Sequence, residues 1–154
     1  GGAMADLGVY GISFAVDLLG PPRVVTARGE LTDRGVDIAA SVLMDHVGGG
    51  SSVTLTRMDA PGPNGAAVVG RDGWIELDPY WFTGVGYTRY DAGRPGRAVR
   101  RYDPPASPLR GMHFQALEVE MRVRAGELES PHLPLDRTVE VMDILDQVLA
   151  ALDG

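Results

Sequence analysis

The sequence predicts an α+β fold, a mostly antiparallel, open-faced sheet with helices packed on one face. Three observations predict it. Apolar residues at helical spacing open the chain; period-two segments joined by short, Gly-rich turns fill its middle; two further helical stretches close it. Helix, strands and helices in that order favour an antiparallel sheet covered from one side over alternating βαβ units. A chain of 154 residues is long enough to bury one core, and no linker or repeat divides it, so a single domain over 1–154 is expected.

The first helix is expected from about Ala3 to Leu19. Leu7, Ile12, Phe14, Ala15, Leu18 and Leu19 form its apolar side, and Gly20-Pro21-Pro22 stops it. Val25, Ala27, Gly29 and Leu31 then alternate with Thr26, Arg28 and Glu30, which is a strand. After a turn at Thr32-Asp33-Arg34-Gly35, Val36, Ile38, Ala40, Val42 and Met44 alternate with Asp37, Ala39, Ser41, Leu43 and Asp45. Gly48-Gly49-Gly50 turns the chain, and Ser51–Arg57 runs back with Val53 and Leu55 expected inward. A Pro/Gly/Asn loop leads into a hairpin, Ala66–Val69 and Trp74–Leu77 about Gly70-Arg71-Asp72-Gly73. The aromatic cluster Tyr80-Trp81-Phe82 comes next. Strands near Val85–Tyr90 and Ala98–Tyr102 flank a loop with Gly93, Pro95 and Gly96, and Pro104, Pro105 and Pro108 end the strand region. A helix over Gly111–Ala125 carries Phe114, Leu117 and Met121 on one stripe, and Gly126 ends it. The last helix starts at Asp136 as N-cap and runs to about Leu152, burying Val141, Ile144, Leu145, Val148, Leu149 and Leu152. The second face of the sheet carries Thr, Ser, Arg and Glu with some apolar residues, and is either solvated or an interface.

Composition removes several function classes. The net charge of −7 opposes nucleic-acid binding, which needs clustered cations. No apolar run approaches the roughly 20 residues that cross a bilayer, and no signal-peptide pattern opens the chain, so the cytoplasm is the expected compartment. There is no cysteine, hence no disulfide, thiolate ligand or cysteine nucleophile. All 14 basic side chains are arginine. A genome biased toward arginine codons explains that plainly. Its chemical consequence stands regardless: this chain has no Schiff-base lysine, no P-loop lysine and no lysine acid.

Dinucleotide binding needs a strand, a G-x-G-x-x-G turn and a helix. Gly48-Gly49-Gly50 leads into another strand, Gly70 and Gly73 bracket a hairpin, and Gly84-Val85-Gly86 lacks both a third glycine and a helix. The chain is therefore expected to bind no NAD, NADP or FAD by itself. His46, His113 and His132 lack partners at metal-ligand spacing, so no metal site is expected. His46, beside a turn, reads as solvated; His113 reads as a packing residue or a pocket residue. Ser41, Ser51 and Ser52 lack the strand-to-helix elbow of a nucleophile.

The strongest chemical signal is Gly1-Gly2-Ala3-Met4-Ala5-Asp6-Leu7-Gly8-Val9-Tyr10. A carboxylate and a phenol four residues apart share one helix face. A plain structural account also exists: Asp suits the first turn of a helix, and Tyr suits a helix–sheet boundary.

These residues, with Gly20-Pro21, Gly29-Glu30-Leu31-Thr32-Asp33-x-Gly35-Val36-Asp37, Val69-Gly70-x-x-Gly73-x-Ile75-Glu76-Leu77 and Leu128-Glu129-Ser130-Pro131-x-x-Pro134-Leu135-Asp136, resemble the C-terminal domain of the Gfo/Idh/MocA oxidoreductases. The dihydrodiol dehydrogenase-like branch is the most similar. The resemblance spans essentially the whole chain, through the order and spacing of phrases that are individually weak. It implies an N-terminal Rossmann domain outside this chain that binds NAD or NADP and supplies an active-site lysine from a Glu-Lys-Pro segment. It also implies that Asp6 and Tyr10, which match D-x-G-x-[HY], are catalytic, with the phenol exchanging a proton and the carboxylate tuning it. The expected substrate is a sugar, polyol or dihydrodiol bearing a CH–OH group. Tyr80, Trp81, Phe82 and His113 are candidate substrate-pocket residues, although burial at a sheet edge or interface would also account for the aromatics. Gly8 is expected to let the substrate or the other domain approach. The open sheet face is expected to pair with a second copy of the chain. A stand-alone, non-enzymatic dimerisation or small-ligand-binding domain is the alternative from a different class.

Overall fold

The computed structural model describes residues 1–93, 97–105 and 111–152. Pro95, Gly96 and Pro108, read above as loop residues, lie outside them. The α+β class is observed, with every strand pair antiparallel. The chain forms two compact units, Gly1–Pro61 with Pro131–Gly154, and Gly62–Ser130.

The first unit opens with a π-helical turn, Met4–Gly8, that runs directly into α1, Val9–Leu19. Three strands follow, β1 Pro22–Leu31, β2 Asp37–His46 and β3 Ser51–Arg57, in the order β1-β2-β3. Short turns join them because glycine sits where φ is positive: Gly35 at 71° before β2, and Gly49 and Gly50 at 90° and 86° before β3. The closing helix, Leu135–Leu152, is the third in the chain and is labelled α3. Asp136 lies inside its first turn and is not the N-cap expected above. Pro134, at the position before, accepts from the Arg137 and Thr138 amides.

One sheet face carries the core. Met4, Ile12, Ala15 and Val16 meet Ala27, Ala40, Val42 and Met44 of the sheet and Val141, Ile144, Leu145 and Val148 of α3. Both helices thus cover the same face. On the first helix the buried line is Met4, Gly8, Ile12 and Val16, while Leu7 and Leu18 point outward, contrary to the apolar side expected above. On β1, Gly29 admits Leu152 of α3, whose methyl lies 3.0 Å from where a Cβ would stand.

The phase of β3 differs from expectation. Val53 is 66% exposed and Leu55 is 74% exposed, and the inward residues are Ser52, Thr54 and Thr56. The reason is close packing of the helix. Gly11 lies over Thr54, whose methyl is 2.6 Å from a built Cβ, and Gly8 lies over Met4 and Thr56. Hydroxyl-bearing β-branched residues fill that narrow space, and a one-residue offset moves Val53 and Leu55 to the far face. That face carries the rows Thr26–Leu43–Val53 and Arg28–Ser41–Leu55.

The second unit is a four-stranded meander of β4 Ala66–Gly70, β5 Gly73–Leu77, β6 Tyr87–Asp91 and β7 Ala98–Tyr102, followed by α2, Met112–Ala125. Its aromatic pairs stack across strands, Trp74 on Tyr90 at 4.7 Å and Tyr87 on Tyr102 at 5.1 Å. Gly73 is required at the hairpin because a Cβ there would strike the Tyr90 carbonyl. The expected apolar stripe of α2 is not buried: Phe114, Leu117 and Met121 are all exposed. The more covered side belongs to Glu118 and Arg122, which pair at 3.2 Å, with Ser130 donating to Glu118 at 2.6 Å. The chain beyond the Gly126 cap folds back on those charges.

Ile12→Ala should cost about 2–5 kcal/mol of stability by opening the shared core, whereas Leu55→Ala should stay within about 0.5 kcal/mol in dilute solution. Urea unfolding of both variants checks the assignment of inward and outward faces.

Candidate functional site

The segment with Asp6 and Tyr10 is fastened by the sheet beneath it. The Met4 amide donates to Oδ2 of Asp37 at 2.6 Å, and Asp37 is only 5% exposed. A carboxylate at the start of a helix satisfies an amide that has no partner within the helix and lies at the positive end of the macrodipole. Gly2 makes the approach possible, since a Cβ there would overlap the Asp37 carboxylate. Thr56 Oγ1 donates to the Ala3 carbonyl at 3.4 Å, tying the same strand of backbone to β3.

The far end of the helix is fastened as well. His46, expected to be solvated, is 1% exposed, with Nδ1 2.7 Å from the Gly20 carbonyl and Nε2 2.9 Å from Ser52 Oγ. A carbonyl can only accept, so Nδ1 donates to Gly20, while Nε2 shares a hydrogen bond with the Ser52 hydroxyl. His46 is buried because it continues the inward line of Ala40, Val42 and Met44 on β2.

Between these anchors Asp6 is exposed, and Tyr10 is 44% exposed on the next turn. The turn holding Asp6 closes through the Val9 amide on the Met4 carbonyl, a π-type bond. Such turns are rare and recur at functional sites. Gly8 faces the other way, and the space beside it is filled by Met4 and Thr56 of this chain. It is therefore not available to a substrate or another domain.

The second unit holds the other sequence candidates. Tyr80 has a left-handed backbone, φ 62° and ψ 38°, an uncommon state for an aromatic residue. Its amide donates at 2.9 Å to the carbonyl of Asn64, the other non-glycine residue with positive φ among those described. Trp81 and Phe82 form a short 3-10 turn with Thr83 and meet edge to face at 5.9 Å. His113 packs on Phe114 at 4.0 Å, and its Nδ1 is buried with no hydrogen-bond partner among the described residues. An open groove of about 650 Å³ lies in this unit, lined by Tyr80, Thr83, Arg101, Tyr102 and Phe114 but not by Trp81, Phe82 or His113.

Its charged floor escaped sequence reasoning. Arg101 Nη1 donates to Asp78 at 2.7 Å, Nη2 donates to the second Asp78 oxygen, and Nε donates to Asp103 at 2.8 Å. Gly86 leaves room for the pair. The Arg101 guanidinium, by hydrogen bond and then by charge, holds the Asp78 carboxyl below the usual carboxylate range; Asp78 and Asp103 in turn raise Arg101.

Every glycine cluster lies outside a strand-to-helix turn: 48–50 joins β2 to β3, 70 and 73 bracket β4–β5, and 84 and 86 precede β6. None of these three turns has the strand–glycine–helix form that cradles a dinucleotide. The described residues contain no group of three metal-ligating side chains and no helix long and apolar enough to cross a membrane.

Residues 1–76, including the anchored helix, match the GFO/IDH/MocA C-terminal domain family. Over that range the chain is similar to this family. Over 99% of its length the chain is similar to trans-1,2-dihydrobenzene-1,2-diol dehydrogenase of Xenopus laevis, at 26% identity, and of Macaca fascicularis, at 29%. It spans about half of these relatives, 47% and 46%. In fold it is similar to an aldose-aldose oxidoreductase of Caulobacter crescentus solved with glycerol, with a TM-score of 0.81 and 18% identity over 99% of this chain and 46% of that one. An oxidoreductase of Agrobacterium radiobacter solved with NAD+, L-tartaric acid and magnesium has a TM-score of 0.74 and 16% identity over 98% of this chain and 47% of that one.

Two outcomes follow from the contacts. Gly2→Ala should cost about 1–3 kcal/mol by crowding the buried carboxylate, read as a lower melting temperature. The Asp78 carboxyl should titrate below the ordinary value of about 3.9 and return toward it in Arg101→Gln, followed by carboxyl NMR. Its folded pKa is depressed, so the pair's contribution to stability is present above about pH 4 and is lost on acidifying through the folded value.

Proposed function

We propose that this chain is the substrate-pocket and self-association half of an NAD- or NADP-dependent oxidoreductase acting on a CH–OH group of a sugar, polyol or dihydrodiol. In this reading residues 1–154 form one functional domain of a two-domain, cytoplasmic enzyme and do not turn over alone. The carrying observation is the exposed placement of Asp6 and Tyr10 on successive turns of an anchored helix, in a chain similar along its length to dihydrodiol dehydrogenases.

Tyr10 Oη exchanges the proton of the substrate hydroxyl, and Asp6 tunes it. A phenol of ordinary pKa near 10 is ionised to only about one part in a thousand at pH 7. A neighbouring cation must therefore favour the phenolate. This chain has no lysine, and in this reading the cation is a lysine of the N-terminal domain, which also binds the nicotinamide cofactor. Trp81, Phe82 and His113 are proposed to shape the pocket, supported by the aromatic contacts of their segments and the groove-lining positions of their neighbours Tyr80, Thr83 and Phe114. Self-association through the outer face of β1–β3 is supported by exposed Leu43, Val53 and Leu55 on adjoining rows.

Tyr10→Phe in the complete enzyme should lower kcat by about 10²–10⁴-fold, the usual contribution of a positioned acid or base. Unchanged turnover overturns the assignment. The isolated chain should leave NADH and NADPH fluorescence unchanged on titration, and measurable binding contradicts the two-domain reading. Leu55→Arg should shift the mass in light scattering from dimer toward monomer at micromolar concentration.

A further inference from the structure

We propose that Asp37 and His46, the first and last residues of β2, are positioning residues that clamp the helix bearing Asp6 and Tyr10 at both of its ends. The inference rests on the acid–base reading of that pair. The π-helical turn of 5 residues and the 11 residues of α1 together run about 24 Å at about 1.5 Å per residue. The 10 residues of β2 span about 33 Å at about 3.3 Å per residue, enough to reach past both ends. At one end the Asp37 carboxylate accepts a hydrogen bond from the Met4 amide; at the other the His46 imidazole donates one to the Gly20 carbonyl. Each group has the polarity its helix end requires.

The clamp supplies what the packing beneath the helix does not. Gly8 and Gly11 bring the helix down on Thr54 and Thr56 and set its height above the sheet. The apolar contacts of Met4, Ile12, Ala15 and Val16 hold the helix on the sheet without directional bonds, and the two hydrogen bonds at opposite ends add directional restraint along its axis. The π-type bond adds a second requirement. With Met4 released, the turn can rewind toward α-helical bonding, which rotates Asp6 relative to Tyr10. Neither Asp37 nor His46 needs to touch substrate. Their effect reaches the chemistry through where Asp6 and Tyr10 stand, and a displacement of about 1 Å can cost about a hundredfold in rate.

The test uses the complete enzyme. Asp37→Ala and His46→Ala should each lower kcat by up to about a hundredfold with little change in KM. The apparent pKa of the essential base in the kcat profile should move upward as the phenol leaves its cation. The double variant should be little worse than the weaker single one, because either change releases the same helix. Asp37→Asn and His46→Asn, which keep the acceptor and the Nδ1-like donor, should recover most of the rate. Val148→Ala, which weakens the same core from α3, should leave the pH profile in place. If Asp37→Ala fails to fold, Gly2→Ala, which crowds the carboxylate without removing it, is read in the same way. A folded Asp37→Ala and a folded His46→Ala with wild-type kcat and profile, or with changes matching Val148→Ala, overturn the clamp alone when Tyr10→Phe is inactive. Full activity of Tyr10→Phe overturns the acid–base reading and this inference with it.

Discussion

A single strand governs the candidate site. β2 is the central strand of its sheet, supplies Ala40, Val42 and Met44 to the core, and ends in the two polar side chains that take hold of the first helix. These tasks reinforce one another. Burial of the strand lowers the local dielectric in which the Asp37 and His46 hydrogen bonds form, and a charge-assisted bond such as that from Met4 to Asp37 is among the stronger kinds. The polar ends in turn fix the register of the helix over the apolar middle. Removing one partner of such a buried bond costs more than the bond's net contribution, because the other partner is left unsatisfied.

Much of the architecture was legible because it follows from periodicity and turn chemistry. The hairpin about Gly70 and Gly73, the close of α2 at Gly126 and the buried line of α3 needed only local rules. Misreadings arose where a partner lies far along the chain. Val53 and Leu55 have the right alternation in the wrong phase, because what selects the phase is the glycine face of a helix more than forty residues earlier. His46 carried a usable signal: it continues the inward positions of β2, but the adjacent glycine turn suggested solvent. Asp37 carried less, because its partner is an amide 33 residues away and its role is invisible without the fold. The stripe on α2 failed for another reason. Its apolar residues are scattered around the helix, and the turn after Gly126 rests on Glu118 and Arg122 instead.

The candidate site shows the same division. Asp6 and Tyr10 were found by spacing, since the relation between them is local. The Asp78–Arg101–Asp103 set was not, because β5 and β7 are joined only through β6 and no local pattern links them. Of the candidates in these segments Tyr80 lines the groove, while Trp81, Phe82 and His113 do not. A 3-10 turn entered through a left-handed Tyr80 changes which side chains point where, and strain of that kind is not read from residue type.

The order of the elements has a consequence for how this chain comes into being. α3, which supplies Val141, Ile144, Leu145 and Val148 from about two turns of one face to the first core, follows the whole of residues 62–130. On a ribosome adding about 5–20 residues per second, the sheet face at Ala27, Ala40, Val42 and Met44 waits several seconds for that cover after β3 has emerged. The clamped helix is complete long before. The contacts that orient the site helix are thus available to the sheet face before α3 is made.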